Sequence, residues 1–193
     1  MSRWLFAIVL SGAGIVLPAT QIPTAQAVID DPEAYAVYAT LIGWENHTAK
    51  AKPLVIQRET GTNNWCTLSG AALEGDWKPV VEDFKRQNAP VRFLAPDRDL
   101  EVPYIVVPVK DIRAFFKQGG GDWQAFYRRY PDSGGYVEVS AVGFNQAKTR
   151  ALAYMAHHCG GLCGSGTHYL LEKVNGAWRE AKVAGVSTCG WVS

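Results

Sequence analysis

The sequence predicts an α+β domain in which N-terminal helices pack on a twisted, mainly antiparallel C-terminal sheet of about four to five strands. Two observations indicate this class. Up to residue 131 most apolar residues recur at helical spacing, whereas from residue 136 they alternate with the period of a strand. Glycine-containing turns separate the later segments, as in a series of hairpins. Helices that precede a run of strands are typical of α+β domains.

The N-terminus has the pattern of a secretory signal peptide. Arg3 precedes an apolar run over residues 5–17, which is shorter than the about 20 residues that span a membrane. Residues 25–27 have the small-x-small pattern of a cleavage site. We therefore expect cleavage after Ala27 and one exported domain over residues 28–193, in the periplasm or outside the cell. An uncleaved anchor is the alternative.

The charge of the exported part excludes some classes of partner. Of the 19 Lys and Arg residues, Arg3 lies in the predicted leader, which leaves 18 basic residues against 18 acidic ones. A balanced chain of this kind has no global attraction for nucleic acid or for anionic lipid. We therefore expect no nucleic acid partner and no stable membrane anchor after cleavage.

The first predicted elements of the exported domain are a helix, a strand and a second helix. The helix spans residues 32–44, with Asp31 as its cap and apolar residues at helical spacing. Residues 53–60 are predicted to form a strand. The second helix spans residues 76–88, and we expect Asp76 to cap it.

A second strand and two short helices follow. Residues 102–109 predict a strand flanked by prolines, and residues 111–116 predict a short helix. Asp122 is expected to cap the next helix, which has an aromatic face over residues 123–130. Pro131 ends this helix because proline cannot continue it.

The C-terminal part predicts an antiparallel meander. Apolar residues alternate over residues 136–144, 149–158 and 167–174, so each segment is expected to be a strand. Asn175-Gly176 is a strong signal for a tight hairpin turn. Residues 177–193 supply the last strand or two.

Four short motifs follow one another over the C-terminal third. They are Tyr130-Pro131, SAVGFN at residues 140–145, CGGLCG at residues 159–164 and YLLEKVNGAW at residues 169–178. In this order they resemble a module of uncharacterised bacterial exported proteins, over residues 122–180. The resemblance implies a hairpin at the cysteine loop. Because that family has no established activity, the resemblance implies no catalytic residues.

The stretch AHHCGGLCGSGTHYLL, residues 156–171, is the part of the chain that most resembles a site. It holds two of the four cysteines and three of the four histidines. In an oxidising compartment four cysteines most naturally form two disulfides, and three pairings are possible. We expect Cys159–Cys163 and Cys66–Cys189. The chief alternative joins Cys66 to one of the cysteines of the loop.

The glycines of this stretch are expected to shape the loop. Gly160, Gly161, Gly164 and Gly166 would supply the positive-φ conformations that a tight turn needs. The Cys159–Cys163 ring is small, so its disulfide is expected to stabilise the protein only modestly.

A zinc site is an alternative for the same stretch. Its ligands would be His157, Cys159, Cys163 and His168, because zinc takes four nitrogen or sulfur ligands. However, His157 and His158 are neighbours on a predicted strand and would point to opposite faces.

A nucleophile with its base is the other alternative. Cys163 or Ser165 could be activated by His157 or His168. The segment CGSGT lacks the first glycine of the Gly-x-Ser-x-Gly motif and lies between two strands, whereas that motif joins a strand to a helix.

The sequence favours an exported, non-catalytic protein of unknown role that binds a protein partner or a small ligand in the periplasm. No cofactor is expected. No spaced set of acid, base and nucleophile is evident, and the cysteines and glycines have structural explanations. The alternative is a hydrolase or metal-dependent enzyme centred on His157, His158, Cys163 and His168.

Overall fold

A mixed sheet of eight strands organises the fold, beside a separate pair of strands. The structure is a computed structural model. It describes residues 27–45, 53–61, 68–117, 122–188 and 190–193. Most of the predicted signal peptide and two of the cysteines, Cys66 and Cys189, lie outside these ranges, so the predicted Cys66–Cys189 pair does too. Within them, no helix is long and apolar enough to cross a membrane.

The strands and helices alternate in the first half of the chain and strands dominate the second. The strands are β1 (Val28–Ile29), β2 (Leu54–Gln57), β3 (Phe93–Leu94), β4 (Tyr104–Val107), β5 (Tyr136–Val139), β6 (Gly143–Phe144), β7 (Arg150–Gly160), β8 (Cys163–Val174), β9 (Ala177–Glu180) and β10 (Gly190–Val192). The α-helices are α1 (Pro32–Glu45), α2 (Lys78–Asn88), α3 (Val109–Arg113) and α4 (Trp123–Arg129). Short 3₁₀ helices span Ala71–Glu74 and Ala114–Phe116.

The main sheet is larger than predicted and mixed in direction. Its order is β10-β8-β7-β5-β2-β4, while β6 pairs with β7 and β9 with β8. The pairs within the C-terminal half are antiparallel, as predicted, but β2 is parallel to both β4 and β5. The α+β class is thus confirmed, whereas the strand number and the mainly antiparallel pairing hold only in part. Parallel neighbours require long crossovers, which α2 and the α3–α4 segment provide.

Helix α1 covers one face of the sheet, here called the α1 face. The Asp31 carboxylate accepts a hydrogen bond from Glu33 N at 3.1 Å, so the predicted cap is present. Tyr38 and Leu41 are fully buried. They pack in the largest core cluster with Ala153 and Met155, the residues that alternation along β7 directs to this side.

Helices α2, α3 and α4 cover the opposite face, here called the α2 face, in two separate clusters. Val80 of α2 packs with Leu152 of β7. Ile112 and Phe126, from α3 and α4, pack with Val55 of β2. The two apolar clusters are distinct, and other side chains of the sheet lie between them.

The caps of two helices differ in outcome. Asp122 Oδ1 accepts a hydrogen bond from Ala125 N at 2.7 Å, as predicted. Asp76 does not cap α2, because that helix begins one residue later, after Trp77. The Asp76 carboxylate lies 3.5 Å from the guanidinium of Arg150, so a contact distant in sequence replaces the expected local one.

The turn between β8 and β9 follows the sequence signal. Asn175 and Gly176 have φ angles of 52° and 83°. Both are left-handed, as a two-residue hairpin turn between twisted strands requires.

Candidate functional site

The cysteine-containing stretch forms the tip of the long hairpin of β7 and β8. Cys159 and Cys163 form a disulfide bond. Between them the chain turns at Gly161 and Leu162, and the Leu162 side chain is 92% exposed. This pairing is the one expected for the loop, and it removes both thiols from nucleophilic or metal chemistry.

Two of the four glycines of the hairpin, Gly164 and Gly166, are needed for the space they leave and not for a backbone angle. None of the four predicted positions has a positive φ, so that expectation was wrong. A Cβ on Gly166 would lie 2.4 Å from Trp191 Nε1, and a Cβ on Gly164 would lie 3.2 Å from Trp191 Cζ3. The missing side chains make room for an indole that belongs to the neighbouring strand β10.

The three histidines of the stretch do not converge. His157 lies on the α1 face, where its Nε2 is 2.6 Å from the carbonyl oxygen of Gly134. His158 and His168 lie on the α2 face, opposite Gly164 and Tyr154 in the β7–β8 ladder. Their ladder positions differ by four residues, which corresponds to about 13 Å along the strands.

The predicted zinc ligands and the nucleophile–base pairs are therefore mostly separated. His157 and His168 lie on opposite faces, and both cysteines are in the disulfide. Within the described ranges, no three His, Cys, Asp or Glu side chains are grouped so that they could hold a metal. Ser165 is directly opposite His157 on β8, so this is the pair that the fold brings together.

A row of stacked rings crosses the α2 face next to the hairpin. We call Trp123, Tyr136, His158, Trp191 and Tyr154 the aromatic row. The Trp123 and Tyr136 rings stack at 6.0 Å, and the Tyr136 and His158 rings at 4.4 Å. The His158 and Trp191 rings are 5.1 Å apart, and Trp191 Nε1 donates to Tyr154 Oη at 2.9 Å. The row connects α4 with three strands of the sheet, β5, β7 and β10.

His158 is held neutral within this row. Burial, together with the smaller effect of the nearby His157, lowers the pKa of His158 to about 4. Its Nε2 atom is buried and has no hydrogen-bond partner among the described residues. A buried ring nitrogen without a partner costs free energy and calls for an explanation.

Glu138 lies beside His158 and was missed by the sequence analysis. It is opposite Ala156 on β7, so it points to the α2 face between the positions of Tyr154 and His158. Burial raises the pKa of the Glu138 carboxyl, and the Arg113 guanidinium opposes this effect. No hydrogen bond or ion pair joins the carboxylate to the described part of the chain.

The backbone next to Glu138 is shaped to admit its carboxylate. A Cβ placed on Gly61 would lie 1.8 Å from Glu138 Oε1, so only glycine is compatible with this position of the carboxylate. A signal for Glu138 was present in the sequence: it is the acidic residue between the inward valines of the YVEV strand.

Two open crevices, one of them lined in part by Trp191 of the aromatic row, are weaker candidates for a site. One of about 470 Å³ lies between α2 and the turn before β7, but four of its five charged side chains pair within the protein: Asp31 with Lys148 and Asp83 with Arg86. Another of about 290 Å³ lies along β8 and β10 and includes Ser165. In the described part of its lining, neither crevice contains a buried polar atom without a hydrogen-bond partner such as His158 Nε2 of the aromatic row.

No family model, no curated protein and no solved structure matches this chain. The resemblance over residues 122–180 stays a prediction, and the function has to be argued from the geometry.

Proposed function

We propose that this protein is an exported, non-catalytic binding protein that holds a small ligand at the aromatic row. One observation carries the proposal. The Glu138 carboxylate and the His158 Nε2 atom lie on one face of adjacent strands, and neither has a hydrogen-bond partner among the described residues. A ligand that contacts both would supply the missing partners.

The energetics favour a functional role for His158 Nε2, which is fully buried, and to a lesser degree for the partly buried Glu138 carboxylate. A polar atom that leaves water without gaining a hydrogen bond destabilises the folded protein by about 1–3 kcal/mol. Such positions persist where a bound molecule completes them, and titratable groups with shifted pKa values are concentrated at such sites. The rings of the row add apolar area with fixed orientation, as ligand sites usually do.

Binding is better supported than catalysis. Burial raises the pKa of Tyr136 to about 12, so its hydroxyl stays protonated, and His158 stays neutral at physiological pH. The row therefore offers fixed hydrogen-bond donors and acceptors. The enzyme centred on residues 157–168 lacks support because its cysteines are oxidised and two of its histidines lie on opposite faces.

Export is supported by two independent features. The N-terminal residues have the composition of a secretory signal peptide. The disulfide of the hairpin tip is typical of proteins that fold outside the reducing cytoplasm.

The experiment is native mass spectrometry of protein purified from the periplasm. We expect a compound of low mass to remain bound to the wild type and to be lost from the His158→Phe variant. That substitution keeps the ring stack and removes the nitrogens. The matched control is Tyr127→Phe. It removes a hydroxyl that lies just outside the row and donates a hydrogen bond to Cys159 O at 2.9 Å.

Two results would overturn the proposal. One is a wild-type protein that retains no compound, even after incubation with the low-mass fraction of a periplasmic extract. The other is a compound that His158→Phe retains as well as the wild type does, because the ligand would then lie elsewhere.

A further inference from the structure

Glu138 differs from the other partly buried carboxylates because, among the residues that the structure describes, no cation forms an ion pair with it. Ion pairs satisfy the acidic groups of several other elements in the described ranges: Arg58–Glu59, Arg86–Asp83, Arg98–Asp30, Lys148–Asp31, Arg150–Asp76 and Lys173–Glu33. Glu138 takes part in none of these pairs. Since the fold can pair even exposed carboxylates, an unpaired one in the sheet points to a cation from outside.

Arg113 is the protein cation that acts on Glu138. It lies exposed on α3, and its charge favours the ionised form of the Glu138 carboxyl. The two side chains nevertheless form no ion pair. The positive charge of Arg113 therefore acts from a distance and leaves the carboxylate oxygens available.

The neighbours of Glu138 suit a nitrogen cation. Tyr136 precedes it by two residues on the same face of β5, and His158 is its diagonal neighbour on β7. Diagonal neighbours have Cα atoms about 7–8 Å apart, so a carboxylate and an imidazole can both reach one nitrogen between them. An ammonium has three N–H donors, and a neutral imidazole nitrogen accepts one of them.

The stacked rings add attraction for a cation and for a flat apolar group. Tyr136 and His158 stack face to face at 4.4 Å, and Trp191 continues the row. Aromatic rings attract cations through their π electrons, most strongly where water is excluded. The small side chain of Ala156 and the missing one of Gly61 leave the carboxylate less covered than a larger residue would.

Building on the proposed function, we infer that the ligand is an organic cation. It carries a protonated amine or a guanidinium on a flat apolar body, with Glu138 as its counter-ion and the aromatic row as its platform. Anionic ligands would face the negative charge of Glu138. Neutral hydroxyl compounds could still donate a hydrogen bond to the carboxylate, but they would lack the attraction between opposite charges.

The test compares three probes of one shape. Benzylamine is protonated at neutral pH, benzyl alcohol is its neutral analogue and benzoate is the anionic one. Binding is followed by NMR shifts of the Trp191 and Trp123 indole N–H groups. We expect benzylamine to shift these signals, benzyl alcohol to bind at least about tenfold more weakly, and benzoate not to bind.

Two variants localise the effect. Glu138→Gln is expected to weaken benzylamine binding at least about tenfold and to change the weak binding of benzyl alcohol much less. The matched control is Glu172→Gln, because Glu172 is an exposed carboxylate of β8 in the same sheet. Thermal unfolding of each variant shows that it is folded, and if Glu138→Gln did not fold, the three probes on the wild type would still decide.

The outcomes separate this inference from the proposed function. Equal affinity for amine and alcohol, or unchanged benzylamine binding by Glu138→Gln, would overturn the inference. A neutral or anionic compound retained from the periplasm would also overturn it, while the proposed binding function would stand. Absence of a retained compound, together with no response to any probe, would refute both.

Discussion

Two buried tyrosine hydroxyls on the α1 face of the sheet have hydrogen-bond partners within the protein, whereas two polar groups on the α2 face have none among the described residues. On the α1 face the buried Tyr38 hydroxyl donates to Ser140 O at 2.8 Å, and the buried Tyr35 hydroxyl donates to Ile29 O at 3.0 Å. On the α2 face the Glu138 carboxylate and His158 Nε2 are left without such bonds in the described part of the chain.

The apolar packing shows the same contrast. One continuous core joins α1 to the sheet, but the opposite face carries two clusters, one under α2 and one under α3 and α4. The aromatic row starts at the α3–α4 cluster, against which Trp123 and Tyr136 pack, and continues along the sheet. The comparison therefore assigns most of the stability to one face and the binding to the other, and changes to each face should affect different properties.

The largest expected effect is on the α1 face. Leu171 of β8 is fully buried in its core, so Leu171→Ala should lower the free energy of unfolding by about 3 kcal/mol, with benzylamine binding to the folded protein unchanged. Urea denaturation measures the loss. The control is Leu162→Ala at the exposed hairpin tip, where the change should stay within about 0.5 kcal/mol. Equal losses in the two variants would contradict this distribution of stability.

The second effect concerns the disulfide bond at the hairpin tip. Replacing both Cys159 and Cys163 by serine should cost about 2 kcal/mol, since the ring that they close is short. The β7–β8 ladder continues up to the ring, so the hairpin should persist and the Trp191 N–H signal should keep its position. Collapse of that signal would show that the disulfide, and not the ladder, positions this end of the row.

Local patterns predicted the elements better than their partners. The helix expected over residues 32–44 is α1, and the alternation of β7 correctly placed His157 and His158 on opposite faces. The sequence did not place β2 beside β5, because a strand that is buried on both faces shows no alternation and its partner lies far along the chain.

The site was harder to predict for the same reason. Glu138 is an ordinary residue of an alternating strand until the fold shows that no cation in the described ranges is paired with it. The glycines at positions 164 and 166 were assigned to backbone turns, because the indole of Trp191 that needs their space comes from a strand more than twenty residues later. Both properties arise from long-range packing.

The third effect is a pH dependence on the α2 face. The His158 pKa is about 4 in the folded protein, below its ordinary value of 6.5. As pH falls from 6.5 to 4 the unfolded chain takes up the proton first, so the folded state loses stability in this window. Partial solvent screening limits the loss to roughly 2 kcal/mol.

His158→Phe isolates this contribution, because other groups titrate in the same range in both proteins. As the pH falls from 6.5 to 4, the wild type should lose more free energy of unfolding than the variant does. Urea denaturation at each pH measures both values. Parallel pH profiles would mean that His158 is protonated equally in the folded and unfolded states.

The smallest expected effect is a change in stability with pH at Glu138. Its sign is opposite to that at His158, because here stability falls as the pH rises. The pKa of the Glu138 carboxyl is raised in the folded protein, so stability falls as pH rises from 4.5 through the raised value. Glu138→Gln should therefore stabilise the protein at pH 7 by about 1 kcal/mol, with the gain vanishing below about pH 4. The exposed Glu172→Gln should change stability by less than about 0.5 kcal/mol at either pH.

A variant that gains stability and loses ligand affinity identifies a residue kept for binding. Evolution tolerates a local cost of this kind where function requires it, because most proteins need only enough stability to stay folded. If Glu138→Gln destabilised the protein, the carboxylate would have a structural partner after all. The contrast between the two faces would then disappear, and the ligand would have to be sought away from the aromatic row.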